Sequence, residues 1–241
     1  MNPDLALLHP YPFEKLTRLF SDLTPPSTLK PIALSIGEPK HPSPAFVMET
    51  ITHQAQHLAT YPSTKGIPEL RQTIADWLKK RFSLHTVNAE TEVLPVNGTR
   101  EALFSFTQAV INRADKPLVL MPNPFYQIYE GAAYLAGAEP YFLPCTSDNH
   151  FIPDFDAITP DIWQRTQLLF ICSPGNPSGA VMSRETLQKL VALSDEYNFV
   201  IAADECYSEI YFDEANPPVG LLQVCAELGR DDYKNLSLIH I

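Results

Sequence analysis

Two adjacent acidic residues, Asp204 and Glu205, follow the apolar run of residues 199–203. An apolar run of this length, bounded by turn-forming residues, is typical of a buried strand. In an open α/β sheet the carboxyl ends of the strands form the edge at which ligands bind. A carboxylate at that edge with apolar residues behind it needs a cationic or hydrogen-bonding partner to stay ionised.

Three partners for Asp204 are consistent with this pattern. The backbone amides of the next helix could be capped by the side chain. A magnesium ion could bind it, because an apolar run ending in Asp-Glu also follows the P-loop of ATPases, but no G-x-x-x-x-G-K-[ST] segment is present. The third partner is the protonated ring nitrogen of pyridoxal phosphate, which an Asp keeps effective as an electron sink.

The segment Asn97-Gly98-Thr99-Arg100 lies where a predicted strand turns into a helix. Free N–H groups and the helix dipole make such a turn a natural phosphate site. The helix dipole disfavours a cation in the first turn unless an anion is near, so Arg100 favours a bound anion. An ordinary strand–helix turn remains the alternative.

Two further segments follow predicted strands. Tyr126, in Pro-Asn-Pro-Phe-Tyr, could form a flat wall for a planar ring or belong to the core. Asn176 is the one amide side chain of the loop Ser-Pro-Gly-Asn-Pro-Ser-Gly, which its prolines and glycines make rigid. It could bind a ring hydroxyl or simply form a turn.

Alternating strands and helices must position these groups. Apolar spacing predicts helices over 11–23, 45–59, 67–82, 99–112, 126–136 and 183–197. It predicts strands over 32–36, 92–96, 118–121, 141–143, 167–172 and 199–203. Continuous apolar strands that alternate with helices predict an α/β fold, with a mainly parallel sheet covered by helices on both faces.

Composition excludes several classes of protein. The chain has 241 residues, 45% hydrophobic and 19% charged, which is typical of a globular protein with one or two domains. A formal charge of -11 without a basic run argues against nucleic-acid binding. No membrane-length apolar run and no secretory signal are visible, so we expect a cytoplasmic location. The four cysteines lack metal-ligand spacing, and we expect reduced thiols and no metal site.

Taken in order, the motifs N-G-T-R-E-A-L, N-P-F-Y, S-P-G-N-P-S-G and A-A-D-E-x-Y-S resemble those of the fold-type I, class I/II aminotransferases that use pyridoxal phosphate. The earlier segments I-G-E-P-K-H-P-S-P and Y-P-S-T-K-G-I-P-E-L-R are also similar to that family. The resemblance covers residues 36–211. It implies the aspartate aminotransferase-like fold, with residues 1–45 in the small domain and 46–241 in an incomplete large, cofactor-binding domain.

The resemblance also implies roles for individual residues. Gly98, Thr99 and Arg100 would hold the cofactor phosphate, and Tyr126 would stack on the ring. Asn176 and Tyr207 would hydrogen-bond the phenolic oxygen, while Asp204 would pair with the ring nitrogen. Tyr61 would reach the phosphate of the neighbouring subunit in a homodimer with shared active sites. Gly37, together with Asn176, would contact the amino-acid or keto-acid substrate.

The resemblance places the family's Schiff-base lysine just after the strand that follows Asp204. Lys234 precedes that strand, so the catalytic lysine is expected just past Ile241 and the fragment is expected to be inactive alone.

Within the family, the segments Y-P-F-E-K-L and P-V-N-G-T-R-E-A-L-F are most similar to succinyldiaminopimelate aminotransferases of bacterial lysine biosynthesis. These move an amino group between glutamate and N-succinyl-2-amino-6-oxopimelate. Alternatives are another substrate, such as acetylornithine, aspartate or an aromatic amino acid, and a non-catalytic regulatory domain of the same fold.

Overall fold

The structure is a computed structural model that describes residues 1–32, 34–38 and 40–240. The chain forms two compact units. The larger unit comprises Met1–His9 and Pro68–Ile241, and the smaller unit comprises Pro10–Ile67.

A five-stranded parallel sheet organises the larger unit. Its strands are β1 (Leu118–Asn123), β2 (Glu139–Pro144), β3 (Thr166–Cys172), β4 (Val200–Asp204) and β5 (Leu236–Ile239), in the order β2-β1-β3-β4-β5. Every pair of neighbours is parallel. The carboxyl ends of all five strands therefore lie along one edge, which we call the carboxyl edge.

Helices cover both faces of this sheet. The helices of this unit are α3 (Pro68–Phe82), α4 (Thr99–Val110), α5 (Gln127–Ala136), α6 (Pro160–Arg165), α7 (Arg184–Tyr197) and α8 (Leu221–Glu227). Alternate side chains of the central strands point to opposite faces, and both faces are apolar. One face packs against α6, α7 and α8, and the other packs against α4 and α5. Helix α3 packs against α8.

The smaller unit contains α1 (Pro12–Phe20) and α2 (Ala45–Gln54), the latter followed by a 3-10 helix at Ala55–Ala59. Neither α1 nor α2 has a buried residue. Apolar side chains such as Leu19, Leu34 and Leu58 are exposed.

The predicted fold class is confirmed, and most predicted helices and strands agree within a few residues. The strand predicted at 92–96 is wrong: Leu94 and Val96 are exposed, and the segment pairs with none of the five strands. The strand predicted at 32–36 is also wrong where the structure describes it, and Ala33 lies outside the described residues. Pro39, in the Gly37 segment, lies outside them too.

The sequence did not predict α6 and α8, each of which has seven or fewer residues. The boundary placed between residues 45 and 46 concerns the two domains of a complete enzyme and stays a prediction. Among the described residues, no helix combines the length and apolar character needed to cross a membrane.

Candidate active site at the carboxyl edge of the sheet

Asp204 is the last residue of β4 and lies at the carboxyl edge. Its neighbours in the register are Cys172 at the end of β3 and Ile239 at the end of β5. The apolar residues that precede it on β4 are buried, and Asp204 itself is only 6% exposed. The sequence therefore predicted its position correctly. A carboxylate this well buried costs free energy unless polar groups surround it.

Three neutral donors contact the Asp204 carboxylate: the Tyr129 hydroxyl, the Cys206 backbone N–H and the Cys206 thiol. The Tyr129 hydroxyl, from α5, donates a hydrogen bond of 2.5 Å to Oδ2. The backbone N–H of Cys206 lies 3.4 Å from Oδ1. Burial, and then the charge of Asp204, raises the pKa of the Tyr129 hydroxyl far above its ordinary value, so Tyr129 remains a proton donor.

Sequence reasoning missed Tyr129. It is a helix residue 75 positions from Asp204, and its apolar spacing is that of an ordinary core residue. It also packs as one, since its ring stacks on Phe170 with centroids 4.3 Å apart. No pattern in the sequence separates it from the other core aromatics.

Asp204 does not cap the next helix, which was one of the three alternatives for its side chain. Residues 206–209 form turns, and the next helix, α8, begins only at Leu221. The backbone N–H of Leu221 donates to Glu205, not to Asp204, at 2.8 Å. The carboxylate of Asp204 thus remains directed to the carboxyl edge rather than committed to a helix.

Asn176 and Tyr207, the two residues for which the resemblance implies a shared ligand, lie together. The amide Nδ2 of Asn176 donates to the hydroxyl oxygen of Tyr207 at 3.2 Å. Burial raises the pKa of Tyr207, and the hydrogen bond from Asn176 partly offsets that rise. The phenol therefore stays protonated at neutral pH and can donate to an anionic oxygen.

The start of α4 is joined to the same edge by two contacts. Nε of Arg100 donates to the Tyr126 hydroxyl at 2.6 Å. The Thr99 and Cys206 side chains are hydrogen-bonded to one another. The N-cap residue of α4 is Gly98, whose φ is +124°. As a glycine it has no side chain that could cap the helix. The start of α4 is therefore a helix N-terminus, which favours an anion through its first N–H groups and its dipole.

Two of the predicted site residues lie in the smaller unit. The Tyr61 side chain is fully exposed, and Gly37 has no heavy atom within 4 Å of the position a Cβ would occupy. Their roles remain predictions, as do those of the other site residues. The contacts above join Asn176 to Tyr207, Arg100 to Tyr126, and Asp204 through Cys206 to Thr99.

A cavity of about 170 Å³ lies beside Asn176. Its walls are mostly apolar and are formed by the segment after β1, the segment after β2 and the Asn176 loop. Among the described residues, no lysine or arginine lines it.

The chain matches the sequence model of the family described as "Aminotransferase class I and II" over residues 30–238. This chain belongs to that family. The match includes every segment from Gly37 to Tyr207 on which the sequence resemblance depends, and the resemblance is thus confirmed.

Solved aminotransferases share the fold of this chain. An aminotransferase from Neisseria meningitidis Z2491 superposes with a TM-score of 0.93 and 47% identity, over 100% of this chain and 61% of that protein. Aminotransferase AspB from Helicobacter pylori 26695 gives a TM-score of 0.89 and 36% identity, over 97% and 60%.

Curated relatives extend the comparison. The LL-diaminopimelate aminotransferase of Maridesulfovibrio salexigens is 35% identical over 221 residues, which are 91% of this chain and 56% of that protein. The protein of the same name from Aquifex aeolicus is 36% identical over 222 residues, again 91% and 56%. The chain thus spans a little over half the length of the curated relatives that it matches.

Proposed function

We propose that the full-length protein containing this chain is a pyridoxal-phosphate-dependent aminotransferase. The observation that carries the proposal is Asp204, a buried carboxylate at the carboxyl edge whose three contacting donors are neutral. A protonated ring nitrogen is the partner such a carboxylate lacks. Membership of the class I and II aminotransferase family supports the same reading.

The donor set at this edge fits pyridoxal phosphate. The phosphate would accept from the first N–H groups of α4 beside Gly98 and would pair with the charge of Arg100. The phenolic oxygen would accept from Asn176 and Tyr207, and the ring would pack against Tyr126. When bound, pyridoxal phosphate supplies an electron sink that eases removal of a substrate α-proton.

The chain's own residues bind and orient in this proposal. Asp204 keeps a proton on the ring nitrogen, and Tyr129 fixes the Asp204 carboxyl by donating to Oδ2. Asn176 holds the Tyr207 hydroxyl, which fixes the direction of its proton. The larger unit thereby binds and polarises the cofactor, and the lysine that transfers protons is the one predicted past Ile241.

Asp204→Asn in the full-length protein tests the proposal. Asn keeps the size of the side chain and an acceptor for Tyr129 but removes the charge. We expect the Kd for pyridoxal phosphate to rise roughly 10- to 100-fold, the effect of losing one charge-assisted hydrogen bond. We expect glutamate-dependent transamination to fall further still, because a neutral ring is a poor electron sink.

Ser183→Ala is the matched control for this test. Ser183 caps α7 by accepting from Thr186 N–H at 3.2 Å, and its hydroxyl also contacts the Thr186 hydroxyl, which is not assigned to the cofactor. Its loss should lower stability by about 1 kcal/mol without affecting the cofactor. If Asp204→Asn behaves like Ser183→Ala, the proposed role of Asp204 is wrong.

For the substrate, we propose a compound of diaminopimelate metabolism with carboxylates at both ends, and glutamate as the amino-group partner. Two candidates have separate support. The sequence resemblance favours N-succinyl-2-amino-6-oxopimelate, whereas the matched relatives are named LL-diaminopimelate aminotransferases. Both candidates carry carboxylates at the two ends of their pimelate chain, so each requires an anion-binding group at each end.

A comparison of kcat/KM values for the full-length protein separates these candidates. The compounds to compare are N-succinyl-2-amino-6-oxopimelate, LL-diaminopimelate, aspartate, acetylornithine and an aromatic amino acid. Preference for either diaminopimelate compound supports the assignment and selects between them. Faster turnover of aspartate, acetylornithine or the aromatic substrate contradicts it. Absence of both turnover and cofactor binding favours a non-catalytic regulatory domain.

We further propose that the protein acts as a homodimer with shared active sites, in which Tyr61 reaches the phosphate of the neighbouring subunit. The fully exposed ring of Tyr61 supports this, because it is available to a second copy. The cytoplasmic location expected from the sequence stays a prediction.

A further inference from the structure

Glu205, next to the proposed ring partner Asp204, is a second buried acid for which the proposed chemistry has no use. It is 3% exposed, less than Asp204 itself. Charged side chains are almost never buried to this extent without a specific partner. The surroundings of Glu205 therefore require an explanation.

The side chain of Glu205 supports the start of α8. Its Oε1 accepts the backbone N–H of Leu221, the first residue of that helix, at 2.8 Å. Gly220, the N-cap residue, has no side chain to offer. A Cβ at Gly220 would lie 2.8 Å from Oε2 of Glu205 and 2.5 Å from the Phe82 ring, so the carboxyl is packed tightly between these groups.

The backbone of Glu205 is held on both sides as well. Its N–H donates to the carbonyl of Ile239 on β5 at 3.0 Å, and its carbonyl accepts from Ser208 N–H at 3.0 Å. Side chain and backbone together fix Glu205 to α8, to β5 and to the turn of residues 205–208. That turn carries Tyr207.

Arg81, on α3, holds the other side of the same turn. Its side chain donates to the Glu209 carboxylate at 2.6 Å, to the Ser208 carbonyl at 3.1 Å and to the Pro218 carbonyl at 3.3 Å. The Ser208 hydroxyl is hydrogen-bonded to His240 at 2.8 Å. The turn is thus fixed by contacts from three elements and does not rely on its own backbone hydrogen bond alone.

The groups that face the Glu205 carboxyl favour its protonated form. Burial, opposed by the Leu221 N–H and by Arg81 but supported by the charge of Asp204, raises the pKa of Glu205 to about 8. Cys225 of α8 also faces it, with its own pKa raised to about 12 by burial. At neutral pH Glu205 is consequently largely neutral, while Asp204 accepts from Tyr129 and from the backbone N–H and thiol of Cys206.

We propose that Glu205 is a positioning residue that fixes Asp204 and Tyr207 toward the cofactor by tying the turn between them to α8 and β5. The proposal rests on the proposed function, because it concerns the binding of pyridoxal phosphate. Glu205 touches neither cofactor nor substrate. Its effect is transmitted through the turn of residues 205–208.

The test uses Glu205→Ala, Glu205→Asp and Glu205→Gln in the full-length protein. Ala removes the acceptor for Leu221 N–H, and Asp is one methylene too short to keep it. Gln retains an acceptor oxygen and resembles the protonated acid. The readout is the Kd for pyridoxal phosphate, measured by quenching of intrinsic fluorescence at a temperature at which circular dichroism reports folded protein.

We expect the Kd to rise about 10-fold or more with Ala and Asp, and to stay within about threefold of wild type with Gln. Ser194→Ala is the matched control, because it removes another buried hydrogen bond, from Ser194 Oγ to the Phe199 carbonyl at 2.6 Å, just before β4. Its melting temperature should fall while its Kd stays unchanged. If Glu205→Ala does not fold, Glu205→Asp and Glu205→Gln carry the comparison.

Three results would overturn the proposal. The first is a Glu205→Asp variant that binds as tightly as wild type. The second is a Glu205→Gln variant that binds as weakly as Glu205→Asp, and the third is an equal loss of affinity in Ser194→Ala. Each of these, with a wild type that binds, rejects only the positioning role. A wild-type protein that does not bind pyridoxal phosphate overturns the proposed function and this inference together.

Discussion

Asp204 and Glu205 are adjacent acidic residues whose carboxyl groups have different surroundings in the fold. The side chain of Asp204 meets a phenol and a backbone amide at the carboxyl edge. That of Glu205 meets the start of α8 and the Phe82 ring. Because successive side chains at a strand end point to opposite sides, one acid reaches the ligand edge and the other supports it from within.

The pKa of Glu205 has a consequence for stability that can be measured. Its folded value of about 8 exceeds the unfolded value of 4.5, so the folded state holds the extra proton between those two pH values. Stability therefore falls as pH rises through this window, at up to about 1.4 kcal/mol per pH unit. Urea unfolding of wild type and Glu205→Gln from pH 5 to pH 9 tests this prediction.

The difference between the two unfolding curves isolates Glu205 from other titrating groups. The free energy of unfolding of Glu205→Gln should lack this slope. Relative to wild type, the variant should therefore become more stable as the pH rises toward 8. A constant difference across the whole range would contradict the raised pKa of Glu205.

Sequence reasoning identified the residues whose chemistry is visible in a motif and missed those that act through packing. Asp204, Asn176 and Tyr207 follow apolar strands, and the parallel sheet brings their segments to one edge. Tyr129 and Glu205 depend on contacts across 75 and 16 positions of the chain, respectively. Their partners are determined by how α5 and α8 pack, which spacing alone does not encode.

At the scale of the element, the start of α4 depends on the absence of a side chain at Gly98. A Cβ there would lie 2.6 Å from Oε2 of Glu101, and the φ of +124° is strained for any other residue. We expect Gly98→Ala to lower stability by about 1–3 kcal/mol. We also expect it to weaken the binding of pyridoxal phosphate, because the first N–H groups of α4 would move.

Gly229→Ala is a control that separates the loss of stability from the loss of cofactor binding. Gly229 also has a positive φ, +72°, but open space surrounds its Cβ position, and it follows α8 away from the carboxyl edge. Both variants should melt earlier, whereas only Gly98→Ala should bind the cofactor more weakly in a titration. Equal affinities for the two variants would remove α4 from the proposed phosphate site.

The elements that the sequence predicted well are those with a packed partner. Strands β1, β3 and β4 are continuous apolar runs buried on both faces, and this pattern has few alternative readings. The segment 92–96 has a similar composition but pairs with no strand that the structure describes. A segment forms a strand only when another strand pairs with it. Whether such a partner is present depends on the fold of the chain and not on the segment itself.

At the scale of the whole molecule, shared active sites predict complementation between two inactive variants. Tyr61→Ala would damage the site of the neighbouring subunit, and Asp204→Ala would damage its own. In a heterodimer of the two, one site carries both changes and the other carries neither. Refolding a 1:1 mixture of the full-length variants should then recover about a quarter of wild-type activity by random pairing in a symmetric dimer.

Activity measured before and after mixing checks this prediction, with each variant refolded alone as the control. Activity that does not exceed the average of the two parents would contradict the sharing of sites through Tyr61. In that case Tyr61 would act within its own subunit or have no role.

The exposed character of the smaller unit has a practical consequence, which is susceptibility to protease. Helices α1 and α2 bury no side chain, and Lys15, Arg18 and Lys65 lie along exposed backbone. Cleavage requires a segment to open into the enzyme's groove, and segments with few buried contacts open at the lowest cost. Brief digestion of this chain with trypsin should cut first within residues 10–67 and leave a resistant product that begins near residue 68, visible by mass spectrometry. First cuts within the sheet, between residues 118 and 204, would contradict this order.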